Sequence, residues 1–200
     1  MNAGASAIGF VFYPKSPRYI QPERAAEIGD GLKVWKVGIF VEETAKRTEQ
    51  VAQRAGLDVV QLYGGFQTVC EDSHYRVEIP TGFRIWQAKR ILKRNHRPHQ
   101  QHHHRIDIER LSQNAEAVLL DSQQNGSSFD WTIARDSKRK VIVAGGLDAS
   151  NVAEAIRIAR PWGVDASSKL EIAPGVKDHE KVKAFVAAAL SAAKEFAVHA

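Results

Sequence analysis

Seven short apolar runs set the terms for this chain: AIGFVFY (7–13), VWKVGIFV (34–41), LDVVQLYG (57–64), FRIWQAKRI (83–91), AEAVLLDS (115–122), KVIVAGG (140–146) and GVDASS (163–168). They are rich in Val, Ile and Phe and mostly continuous rather than alternating, the pattern of strands buried on both faces of a parallel sheet. Helical patterns lie between them. PERAAEIGD (22–30) has proline in its first turn, ETAKRTEQVAQRAG (43–56) ends in Gly56, DASNVAEAIRIARP (148–161) is stopped by Pro161, and DHEKVKAFVAAALSAAKEF (178–196) closes the series. Strand and helix alternate, and the connections are too long for hairpins. The expected class is α/β, built from βα units around a parallel sheet.

With 200 residues, 44% of them hydrophobic, the chain can bury one substantial core, and a single domain over 1–200 is expected. No apolar run reaches the length of a membrane span and no secretory leader opens the sequence, so a soluble cytoplasmic protein without a membrane partner is expected. Its one cysteine, Cys70, excludes an internal disulfide framework. The net charge of +5 favours an anionic small molecule. The basic residues are spread along the chain and no nucleic-acid motif accompanies them, so no nucleic-acid partner is expected.

Two architectures fit seven strands. An open doubly wound sheet would place a glycine-rich phosphate fingerprint after its first strand, and YPKSPRYI (13–20) contains no glycine. A (β/α)₈ barrel of the TIM type normally has eight strands, and about 200 residues is its lower bound. In such a barrel chemistry gathers at the C-terminal strand ends, with phosphate after the seventh and eighth strands. If AIGFVFY is the second strand, VIVAGG is the seventh and VDASS the eighth. Gly145 and Gly146 then let backbone N–H groups approach a phosphate, and Ser167 and Ser168 add donors; the plainer reading of Gly-Gly is a strand-to-helix turn.

GFVFYPKSPRYI (9–20), KVGIFV (36–41), VVQLYG (59–64), AVLLDS (117–122), FDW (129–131), AGGLDASNVAEAI (144–156) and PWGVDASSKLE…PGVKD (161–178) together resemble the phosphoribosylanthranilate isomerase family, in the same order and over essentially the whole chain. The resemblance implies a (β/α)₈ barrel of the ribulose-phosphate-binding type. Its first strand should end in a KICG-like motif. That motif is not in this sequence, so the expectation is a barrel lacking its first βα unit.

The activity implied is an Amadori rearrangement of phosphoribosylanthranilate to a carboxyphenylamino-deoxyribulose phosphate, in tryptophan biosynthesis. It needs an acid for the ribose ring oxygen and a base for the neighbouring carbon, and no metal or other cofactor. Asp121 matches the family's general acid, a role that burial of a carboxyl supports. Its plainer reading is a capping or loop-bonding aspartate. Arg18 matches the residue facing the anthranilate carboxylate, which a guanidinium grips with two hydrogen bonds; the alternative is a solvated arginine, as Lys15 is read.

The family's base is the cysteine of the KICG-like motif. Cys70 does not match it, lying in GFQTVCEDS (65–73), which reads as a poor helix. Tyr63 stands where the family commonly has histidine, and Lys169 where it usually has glycine, so at 169 either a strained turn or an ammonium that neutralises phosphate is expected. SQQNGSS (122–128) is a shorter loop than the family's.

Three features lie outside the match or have plain explanations. KRNHRPHQQHHHR (93–105), with His96, His99, His102, His103 and His104, reads as a solvated insertion ahead of a short helix at 106–113 rather than a metal site. In FDW, Asp130 caps the next helix while Phe129 and Trp131 pack. A barrel one strand short leaves two open strand edges, which invite self-association unless residues 1–6 or the tail FAVHA (196–200) cover them. Two function classes remain: the isomerase, acting on a phosphorylated small molecule, and a catalytically silent barrel remnant that binds phosphate or self-associates.

Overall fold

The computed structural model describes residues 3–64, 69–71, 74–76, 79–91, 108, 114–122, 129–135 and 137–197. The chain divides into two compact units: Ala5–Ala88 with Asn114–Glu116, and Lys89–Gln113 with Ala117–Ala200 and Met1–Gly4. The histidine-rich stretch 93–105 lies outside the described residues, as does all of 106–113 except Ile108.

In the first unit the chain runs β1 (Ala7–Val11), α1 (Pro22–Gly29), β2 (Trp35–Val41), α2 (Ala45–Arg54), β3 (Val59–Tyr63), a hairpin of β4 (Val69–Glu71) and β5 (His74–Arg76), and the start of β6 (Arg84–Ile91). β1, β2, β3 and β6 lie side by side and parallel, with β1 at the sheet's end. Local chemistry sets the helix ends. Pro22 supplies a fixed φ where no intrahelical N–H bond is lost. Thr44 caps α2 by accepting from the Arg47 N–H at 3.2 Å, and Gly56 leaves it at φ +59°.

Alternate strand residues Phe10, Phe12, Phe40, Val60, Leu62 and Ile85 pack with Ala25 of α1 and Val51, Ala52 and Ala55 of α2. The rings of Phe12 and Phe40 stack at 5.3 Å. On the other face Val37, Val59, Gln61 and Trp86 are also buried, which is why these strands read as continuous rather than alternating. At the N-terminal strand ends, Lys36 donates its backbone N–H to Asp58 Oδ2 at 2.8 Å, and the Arg84 guanidinium lies 4.6 Å from the centre of the Trp35 ring.

The segment around Cys70 differs from its sequence reading: it forms a β-hairpin, with Cys70 opposite Tyr75 and Val69 opposite Arg76, in place of a poor helix. Valine and tyrosine suit a pleated ladder better than a helix.

The second unit contains β7 (Ala117–Ser122), a 3₁₀ turn at Trp131–Ala134, β8 (Lys140–Val143), α3 (Val152–Ala159), β9 (Gly163–Val164), a 3₁₀ turn at Ser168–Leu170, the hairpin β10 (Glu171–Ala173) and β11 (Val176–Lys177), and α4 (His179–Ala197). β7, β8 and β9 are parallel, and β9 ends the sheet. Val118, Leu120, Val141 and Val143 face a core with Val152, Ala155 and Ile156 of α3 and Phe185 and Val186 of α4. Leu119, Ile142 and Ala144, on the opposite face, are buried as well.

FDW behaves as its chemistry suggests. Asp130 accepts from the Thr132 N–H at 3.1 Å and hydroxyl at 2.6 Å, while Phe129 and Trp131 enter the core. Arg157 of α3 grips Glu195 of α4 through Nε at 2.9 Å and a terminal nitrogen at 2.8 Å, and each group holds the other in its charged form. Leu120 is fully buried at the centre of this core. Truncation by Leu120→Ala is expected to cost about 2–5 kcal/mol, measured as a lower urea midpoint with an unchanged denaturant slope.

Candidate functional site

The parallel ladder of the second unit brings three strand ends to one level. Leu120 is in register with Val143, and Val143 with Val164. The Ala144 N–H donates to the Leu120 carbonyl at 2.8 Å and the Asp165 N–H to the Val143 carbonyl at 2.9 Å, so the ladder continues one residue beyond β8 and β9. Asp121, Ala144 and Asp165 therefore stand side by side. Strand alternation puts them on the face opposite Leu120, Val143 and Val164, away from the helices. Two strand spacings separate the aspartates, about 9–10 Å between α-carbons, with Ala144 on the strand between them.

Asp121 is half-buried, the placement expected of it at the end of β7. Asp165, at the end of β9, is a further carboxyl that the strand-end pattern of the sequence does not by itself single out. The Asp165 carboxyl is pushed up to about 6, first by burial and next by the charge of Asp121; Lys177 and the Ala166 N–H pull the other way. Residue 165 keeps an exposed surface, so water tempers the burial contribution, whereas the facing of two like charges follows from the ladder. The signal that the sequence does hold is that LLDS and GVDASS both end a strand in aspartate followed by small residues.

Gly145 and Gly146 follow at φ +88° and +67°, a conformation that L side chains rarely adopt. A Cβ on Gly145 would lie 2.5 Å from the backbone nitrogen of Ser122 and closer still to its hydroxyl. The loop beyond is braced by its own side chains. Asn151 donates through Nδ2 to the Gly146 carbonyl at 3.0 Å and accepts the Asp148 N–H at 2.9 Å; Asp148 Oδ1 accepts the Ser150 N–H at 2.8 Å and its hydroxyl at 2.5 Å. These bonds explain why α3 starts at Val152 rather than at Asp148. They also hold the Asp148 carboxyl below the usual range, chiefly through Ser150 and with help from the charge of Lys169. Lys169 thereby links this loop to the turn after β9.

In that turn Ser168 and Lys169 form one 3₁₀ turn with Leu170. Lys169 is absent from the residues with positive φ, so the strain expected there does not exist: a 3₁₀ turn accommodates any L residue. Ser167 is engaged with the hairpin. Lys177 Nζ donates to its carbonyl at 3.0 Å and lies 3.4 Å from its hydroxyl, which is 3.5 Å from Glu171 Oε1. Gly145, Gly146, Ser167 and Ser168 thus belong to adjoining loops beside Asp121. Arg18 belongs to the first unit, in the turn between β1 and α1, half-buried, with its N–H bonded to Ser16 Oγ at 3.2 Å. Tyr63, at the end of β3, is also half-buried. Among the described residues no cluster of His, Cys, Asp or Glu could hold a metal ion, and no helix is long and apolar enough to cross a membrane.

Residues 1–188 match the family model described as N-(5'phosphoribosyl)anthranilate (PRA) isomerase. The N-(5'-phosphoribosyl)anthranilate isomerase of Solibacter usitatus is 42% identical over 198 residues, covering 95% of this chain and 89% of that protein. A crystal structure of phosphoribosyl anthranilate isomerase from Thermotoga maritima superposes with a TM-score of 0.75 at 34% identity, covering 95% of this chain and 90% of that one. An isomerase solved in complex with reduced 1-(o-carboxyphenylamino)-1-deoxyribulose 5-phosphate gives 0.71 at 35% identity, covering 95% and 90%. The fold class is that of these relatives, the barrel class anticipated from the sequence.

Gly145→Ala is expected to destabilise by more than about 1 kcal/mol, because it combines a disfavoured φ with a backbone collision. Equilibrium urea unfolding measures this, and Gly31→Ala is the comparison: also at positive φ, Gly31 has open space around its missing Cβ and isolates the backbone cost.

Proposed function

Because the chain belongs to the N-(5'phosphoribosyl)anthranilate (PRA) isomerase family, we propose that it converts N-(5'-phosphoribosyl)anthranilate into 1-(2-carboxyphenylamino)-1-deoxyribulose 5-phosphate, a step of tryptophan biosynthesis. The observation that carries this reading is the position of Asp121, at the C-terminal end of β7 and level with the start of the Gly145–Gly146 loop. Chemistry in parallel barrels collects at that end of the strands.

Asp121 acts as the general acid. It protonates the ribose ring oxygen as the bond from that oxygen to the anomeric carbon breaks; the proton on the neighbouring carbon then leaves to a base, giving the enol that becomes the ketone. Arg18 holds the anthranilate carboxylate, and its planar fork suits two parallel hydrogen bonds. Gly145, Gly146, Ser167 and Ser168 cradle the phosphate. Positive φ at both glycines removes side chains from the loop, so N–H groups can approach an anion closely. Lys169 and Lys177 add positive charge to the same loops.

The protein works in the cytoplasm. The outer edges of β1 and β9 are the positions at which two copies would pair.

Asp121→Asn is expected to lower kcat by about 10²–10⁴-fold with a smaller change in KM. Arg18→Ala is expected to raise KM, losing binding shared by substrate and transition state. Steady-state assays with phosphoribosylanthranilate, and complementation of a tryptophan auxotroph, measure both. Absence of turnover by the unaltered chain would replace this reading with the silent, phosphate-binding one.

A further inference from the structure

Asp165 has no part in the reaction as written above, yet its carboxyl stands on the same sheet face and at the same level as that of Asp121, across one small side chain. We infer that Asp165 is a positioning residue for Asp121: its carboxyl, facing that of Asp121 from across Ala144, opposes ionisation of both at once and so keeps an acid available at the mouth of β7 when the solvent is near neutral. This rests on the reading of Asp121 as the acid.

The physical need is simple. An ordinary aspartic acid with a pKa near 3.9 is protonated in only about 0.1% of molecules at pH 7. Two carboxylates facing each other on one sheet face resist joint ionisation, so the last proton leaves the pair late. Burial makes the larger contribution to the upward displacement of Asp165 to about 6, and the charge of Asp121 adds the next. At that value about 10% of molecules keep the proton at pH 7.

Among the described residues, the groups that act on the Asp165 carboxyl are Asp121 from β7, Lys177 from β11 and the Ala166 N–H. Lys177 is committed elsewhere, 3.0 Å from Glu171 Oε1 and 3.0 Å from the Ser167 carbonyl, and its charge only partly offsets the pair. Lys169 is turned to account at Asp148 instead. The proton balance closes within the reaction. One proton passes from the pair to the ring oxygen, another leaves the neighbouring carbon, and exchange with solvent restores the pair without an oxidant or reductant.

The test is a carboxyl titration by NMR on the full chain labelled with ¹³C at the aspartate carboxyls, alongside pH profiles of kcat/KM. One aspartate should titrate near 6, vanish in Asp165→Asn, and move down towards the ordinary range in Asp121→Asn, which removes the facing charge but leaves Asp165 in place. In Asp165→Asn the alkaline limb of kcat/KM should move to lower pH, with about 10- to 100-fold less activity at pH 7.5. An Asp165 signal that titrates in the ordinary range, or one indifferent to Asp121→Asn, overturns the pairing even if Asp165→Asn fails to fold. An unmoved alkaline limb in a folded Asp165→Asn, together with the rate loss in Asp121→Asn, also overturns the pairing while sparing Asp121 as the acid. Full activity in Asp121→Asn overturns the acid itself, a separate failure.

Discussion

The in-step hydrogen-bond ladder of the parallel strands is the constraint on which the site depends. In a parallel pair each residue's level and face are set by its register with the neighbour, so the one-residue continuation through the Ala144 and Asp165 N–H bonds fixes three side chains at once. A slip of one residue in β9 would turn Asp165 towards the helices and bring Val164 to the opposite face. The register is protected by burial: Val118, Leu120, Val141 and Val143 fill the core under α3 and α4, while Leu119 and Ile142 are buried on the other side. The same residues that stabilise the sheet therefore aim its chemistry.

The loops beyond the strands are held by different means. Gly145 presses against Ser122, where no Cβ fits, and the Asp148–Ser150–Asn151 bonds close the turn before α3 begins. Across from it the Ser167–Lys177–Glu171 contacts fix the turn after β9. Both turns are built from short polar side chains bonding to nearby backbone, an economical way to stiffen a segment that must stay open to solvent. Lys169 and Lys177 add positive charge to these two turns.

Much of this was legible in the residue order. All seven apolar runs became strands, and the four helical patterns became α1 to α4, because two-sided burial and Pro or Gly punctuation are local signals. Asp121 stands out through the resemblance of AVLLDS to its family's motif, and the end of β7 is where the structure has it. The errors have a common cause. The Cys70 segment was read one residue at a time, whereas its hairpin exists only because Val69–Glu71 meets His74–Arg76. Strain was expected at Lys169 because glycine favours the left-handed region, but the turn there is a 3₁₀ turn that asks nothing special of its residue. α3 began late because Asp148 bonds to Ser150 instead of starting the helix.

The sequence by itself determined the parallel βα class, the family and the position of Asp121 at a strand end, since each is written in short-range pattern or in residues read in order. Only the tertiary structure decided that Asp165 faces Asp121. Those residues lie on strands separated by a third, and their approach depends on two registers and on the small size of Ala144, quantities that exist only once β7, β8 and β9 are hydrogen-bonded side by side. Electrostatic coupling depends on distance and surroundings, and neither is defined for a chain before it folds.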